Sequence, residues 1–110
     1  MSSEEKLSHY LKTGSDWARL KTSVAGIFIL RMPPYKSSPA RLAVELNPVD
    51  SSGAPTKKRG LVLRSREELA EYAAIFQLEK LAPLLEQVEK TNPEPVGRHS
   101  AKNGEDVLEI

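Results

Sequence analysis

The sequence predicts an α+β domain: a four-stranded antiparallel β-sheet with a short N-terminal helix and two C-terminal helices packed on one face. Two observations carry this expectation. Residues 16–64 alternate apolar and polar side chains in short segments separated by Pro-, Gly- and Ser-rich stretches. Residues 65–92 then switch to helical spacing, so strands precede helices and are not interleaved with them.

Each element has a local reason. Ser3 followed by Glu4 and Glu5 starts a short helix whose apolar stripe is Leu7, Tyr10 and Leu11. Thr13-Gly14-Ser15 ends it. In the first strand, residues 16–21, alternation sends Trp17, Arg19 and Lys21 to one face and Ala18 and Leu20 to the other. Residues 24–32 form a second strand, apolar on both sides, with Gly26 marking a bulge or a close backbone approach. The prolines of Met32-Pro33-Pro34-Tyr35-Lys36-Ser37-Ser38-Pro39 lack an N–H, so this run is a connecting loop. Residues 41–47 alternate cleanly; Leu42, Val44 and Leu46 are expected in the core, and Arg41, Ala43, Glu45 and Asn47 on the open face.

Residues 48–56 make a long turn, and Lys57-Lys58-Arg59 leads into a last strand over 60–64. Ser65-Arg66-Glu67-Glu68 matches a capping box. The helix after it presents Leu69, Tyr72, Ala73 and Phe76 as a core-facing stripe. Pro83 belongs in the first turn of the final helix, because an interior proline costs about 3 kcal/mol. That helix carries Leu81, Leu84, Leu85 and Val88 and stops at Asn92-Pro93. Residues 1–13 thus read as a helical arm, 14–92 as the domain, and 93–110 as a flexible acidic tail.

Charge is distributed unevenly. Residues 12–66 hold eleven Lys/Arg against three Asp/Glu, a net of +8, and residues 67–110 hold four against ten, a net of −6. Residues 1–11 contribute −1, which returns the overall +1. A basic sheet beside acidic helices fits a polyanion-binding surface, or a solvated sheet beside solvated helices. The absence of cysteine excludes disulfides and thiolate metal sites. No run approaches a membrane span, and the acidic, polar start does not read as a signal peptide; because cysteine is absent, a cytoplasmic location is the simpler expectation. His9 and His99 have no ligand spacing, and no nucleophile-elbow or Walker-type glycine motif occurs. The expectation is a non-enzymatic protein with no metal or cofactor.

Single-stranded nucleic acid suits the sheet. Cations neutralise phosphate while bases stack on aromatic or apolar surface. The acidic helices do not suit a major groove. The candidate binding residues are Trp17, Arg19, Lys21, Ile29, Arg31, Tyr35, Lys57, Lys58, Arg59 and Arg64. Each has a plainer alternative: Trp17 as a core or interface tryptophan, Ile27, Ile29 and Val62 as a subunit contact, Tyr35 as a loop anchor, and Lys57-Lys58-Arg59 as a solvated turn. The tip Glu105-Asp106-Val107-Leu108-Glu109-Ile110 has the acidic-apolar character of a partner-recruiting tail.

The run Trp17-Ala18-Arg19-Leu20-Lys21, the strand 27–32, and the run from Lys58 to Leu69 with the helices after it resemble the ThermoDBP-related single-stranded DNA-binding proteins of thermophilic archaea. The resemblance covers about residues 14–92 and rests on element order and a loose pattern. It implies sequence-independent binding of single-stranded DNA in a basic, apolar-lined cleft, self-association as a dimer or tetramer, and a role in genome maintenance. RNA is the alternative ligand. A weaker resemblance is to the coactivator-type fold, which would place single-strand binding in transcription. A protein-interaction or assembly module is the alternative from another class.

Overall fold

The computed structural model describes residues 2–94. The tail beyond residue 94, with its tip at Glu105–Ile110, lies outside the described residues. The elements run α1 (Ser3–Thr13), β1 (Arg19–Lys21), β2 (Ile27–Met32), β3 (Arg41–Leu46), β4 (Leu61–Leu63), α2 (Arg66–Phe76) and α3 (Leu81–Thr91). The four strands form one antiparallel sheet in the order β1-β2-β3-β4. The α+β class, the four-stranded antiparallel sheet, one short N-terminal helix and two C-terminal helices are therefore as the sequence indicates. Residues up to Ala73 form one compact unit, and a second begins at Ala74.

Capping explains where the helices begin. Ser2, not Ser3, is the N-cap of α1: its hydroxyl accepts from the Glu5 N–H at 3.1 Å, and its own N–H donates to Glu5 Oε1 at 2.8 Å. Arg31 Nε donates to the Leu11 carbonyl at 2.8 Å, satisfying an orphan acceptor at the C-terminal end of α1 and tying that helix to β2. At α2 the expected cap is half realised. Ser65 Oγ accepts from the Glu68 N–H at 3.1 Å, while Glu68 Oε1 accepts from the N–H of Arg64 in place of that of Ser65. Pro83 falls in the first turn of α3, and Asn92 is its C-cap.

Cross-strand partners share a face, so the register defines two surfaces. Arg19 pairs with Leu30, Lys21 with Phe28, Phe28 with Glu45, Leu30 with Ala43, Met32 with Arg41 and Glu45 with Val62. This polar face also holds the core: Leu30, Met32 and Ala43 are buried together with Val62 packed on them. Opposite lie Leu20, Ile27, Ile29, Arg31, Leu42, Val44, Leu46, Leu61 and Leu63. Of the aliphatic residues there, Leu63 is buried and the others are half-buried.

The expected orientation of β3 is therefore corrected. Ala43, Glu45 and Asn47 are the buried residues, and Leu42, Val44 and Leu46 face the more open side. Alternation separates the two faces but does not say which one is covered. Here the 47–60 loop folds back over the polar face and brings hydrogen-bond partners with it, so polar residues are the ones enclosed. The helical stripe is corrected as well: Leu69, Tyr72 and Phe76 are 50%, 36% and 61% exposed, not core residues. On α3, Leu84, Leu85 and Val88 are likewise exposed. Helical spacing specifies an apolar face, and the partner of that face is a separate matter.

Candidate nucleic-acid interface

The site is assembled around a buried carboxylate. Glu45 is fully enclosed and accepts from Arg19 Nε at 2.6 Å, Arg19 Nη2 at 3.1 Å, Asn47 Nδ2 at 3.1 Å and the Gly60 N–H at 2.7 Å. The Arg19 hydrogen bond is the main cause that holds its carboxyl at about 2; burial opposes, and the Gly60 and Asn47 hydrogen bonds add to the lowering. Arg19 Nη2 continues to the Lys58 carbonyl at 2.6 Å. Asn47 bonds Lys57 twice, from its Nδ2 to the carbonyl at 2.9 Å and from the Lys57 N–H to its Oδ1 at 3.0 Å. A Cβ at Gly60 would collide with the Leu46 carbonyl oxygen, so only glycine lets the loop approach this closely.

That network fixes the backbone on both sides of Arg59, whose guanidinium lies 4.5 Å from the centroid of the Trp17 ring. Trp17 is not within the strand that the sequence assigns to it. Its φ is 64°, a left-handed conformation that a bulky aromatic seldom adopts, and its N–H donates to the Arg31 carbonyl at 2.6 Å. The residue stays 47% exposed. Beside it opens a pocket of about 430 Å³, within the usual range of ligand pockets, lined by Trp17, Met32, Pro33, Pro34, Tyr35, Ser38, Pro39, Arg41 and Arg64. Tyr35 is 71% exposed on a tight turn closed by reciprocal hydrogen bonds with Ser38, and Lys36 Nζ lies 5.4 Å from its ring. Among the described residues no acid is in salt-bridge distance of Arg41, whereas Arg64 has Glu68 at 3.8 Å.

Of the ten sequence candidates, Trp17, Tyr35, Arg59 and Arg64 converge on this corner of the polar face. Lys57 and Lys58 are exposed on the adjoining loop, and Lys21 shares the same face from β1. Three candidates are placed otherwise. Arg19 is engaged with Glu45 and the Lys58 carbonyl, so its guanidinium serves the fold. Arg31 faces the opposite side, where it holds Asp16 at 2.7 Å as well as Leu11. Ile29 also lies on that side, in an aliphatic groove of about 500 Å³ with Ile27, Leu42, Val44 and Leu46. Sequence reading left Arg41 out of the candidate set, although alternation already put it on this face; its pairing with Met32 sets it at the pocket. Pro33 and Pro34 had no sequence signal beyond ending a strand.

The chain matches no protein-family model, no curated protein and no solved structure. Among the described residues no helix is long and apolar enough to cross a membrane, and no group of three His, Cys, Asp or Glu is placed to hold a metal ion.

Proposed function

We propose that this chain is a sequence-independent single-stranded DNA-binding protein that acts without catalysis and works as a homo-oligomer. One observation supports the reading above the rest: two exposed aromatic residues, Trp17 and Tyr35, line one pocket with Arg41 and Arg64, and the Arg59 guanidinium lies over the Trp17 ring. Rings accept base stacking whatever the base, and the cations neutralise phosphate, so the combination binds single strands without reading sequence. The resemblance to the ThermoDBP-related proteins favours DNA over RNA and genome maintenance as the role, and the lack of cysteine suits a cytoplasmic setting. Self-association draws support from the half-buried aliphatic groove, a surface that water covers poorly.

The test is fluorescence anisotropy with labelled oligo-dT, the matching RNA and duplex DNA, each across a salt series. Single strands should bind ahead of duplex, with log affinity falling linearly as log salt rises. Arg41→Ala and Arg64→Ala should each lower that slope by about one. Absence of binding at low salt, or a slope unchanged in both variants, would overturn the assignment.

A further inference from the structure

We propose that Arg59 is a placeholder on the Trp17 indole: an incoming nucleobase displaces it, and the released guanidinium then pairs with the adjoining phosphate. The inference rests on the single-strand reading above and specifies how a base comes onto its exposed tryptophan.

Four features lead to it. The Arg59 guanidinium sits 4.5 Å from the Trp17 centroid, where a stacked base would lie. Trp17 holds a left-handed backbone, φ 64°, while the residue remains 47% exposed, so burial does not account for this conformation. Strain of this kind persists where the surroundings enforce it, here through the 2.6 Å bond from the Trp17 N–H to the Arg31 carbonyl. Finally, the backbone beside Arg59 is fixed at Lys57 by Asn47, at Lys58 by Arg19 and at Gly60 by Glu45, whereas Arg59 itself is exposed. The side chain can leave the ring without moving the loop.

Energetics favour the exchange. A surface cation–π contact is weaker than a base–aromatic stack, and the freed Arg59 gains a charge-assisted bond to phosphate. A pocket lined by Trp17, Pro33, Pro34, Tyr35, Arg41 and Arg64 adjoins the same residue and gives room to the neighbouring nucleotides of the strand.

Trp17 is the sole tryptophan of the chain, so fluorescence excited at wavelengths beyond tyrosine absorption reports this ring alone. Oligo-dT and an abasic deoxyribose-phosphate chain of equal length would be titrated while Trp17 emission and the anisotropy of a label are recorded together. The expected result is saturable quenching by oligo-dT, weaker binding of the abasic chain by about 5- to 150-fold per stacked base, and no quenching by it. Arg59→Ala should keep the quenching by oligo-dT and lower the salt slope by about one. Oligo-dT binding without a change in emission, equal quenching by the abasic chain, or an unaltered slope in Arg59→Ala would each overturn the exchange and leave single-strand binding standing. Failure of wild-type protein to bind any single strand would overturn both.

Discussion

The two faces of the sheet are made by the same four strands, and they solve burial in opposite ways. On the polar face a long loop returns over the strands, and every polar group it encloses around Glu45 is met: two guanidinium nitrogens, one side-chain amide and one backbone N–H converge on a single carboxylate. On the aliphatic face Arg31 bonds Asp16 and the Leu11 carbonyl, but among the described residues no buried carboxylate gathers a network there. Ile27, Ile29, Leu42, Val44 and Leu46 line a groove and stay half-buried. A buried charge is retained where its surroundings fix a geometry, and here that geometry presents Arg59 to Trp17. An unsatisfied aliphatic surface does something else: it favours association, with little directional demand. Under the proposed function the polar face serves recognition and the aliphatic face assembly.

The largest effect should come from breaking the polar face at its centre. Glu45→Ala leaves Arg19, Asn47 and the Gly60 N–H without their acceptor and should cost on the order of 3 kcal/mol in urea unfolding. The same carboxylate predicts an acid limb. Its folded-state value near 2 lies below the ordinary 4.5, so its contribution is complete above about pH 4.5 and is lost as pH falls toward 2. Thermal unfolding followed across that window should show wild type losing stability that Glu45→Ala does not have to lose. Parallel wild-type and variant curves would show that the carboxylate is not what closes this face.

A smaller effect is expected on the other side. Val44→Asp places a charge in the aliphatic groove without touching the Glu45 network, and it should raise the dissociation constant of the oligomer at least tenfold, about 1.4 kcal/mol. Sedimentation velocity over a concentration series reads this directly. Wild-type protein that stays monomeric throughout would show that assembly is not the role of the aliphatic face.

The contrast between faces also explains what sequence could reveal. The order of elements along the chain, the Pro33–Pro39 break, the Ser65 N-cap and the place of Pro83 follow from local rules, because backbone geometry and missing N–H groups act within a few residues. Trp17, Tyr35, Arg59 and Arg64 were legible as candidates from charge and aromatic interleaving. Which face was covered was not legible, since it depends on where a fourteen-residue connection over 47–60 travels. Glu45 looked solvent-facing because nothing local to β3 announces Arg19, 26 positions earlier, as its partner. Arg19 and Arg31 looked like phosphate contacts for the same reason. Their acceptors are an acid and a helix carbonyl supplied by other parts of the chain.

The smallest predicted effect probes one polar group that does not follow the pattern of the Glu45 network. Tyr10, on α1 beside Arg31, has a buried hydroxyl with no hydrogen-bond partner among the described residues. Burial pushes its phenol above the ordinary value, with the Arg31 charge opposing. An unpaired buried hydroxyl is a cost that phenylalanine removes without changing ring packing. Tyr10→Phe should therefore leave urea stability unchanged or raise it by up to about 1 kcal/mol. A loss of more than about 1 kcal/mol would mean that the hydroxyl is bonded in solution, and the α1 end of the aliphatic face would then be as fully satisfied as the Glu45 network. A gain would sharpen the difference: polar groups are met where the 47–60 loop covers the sheet, and one is left unmet where α1 reaches Arg31.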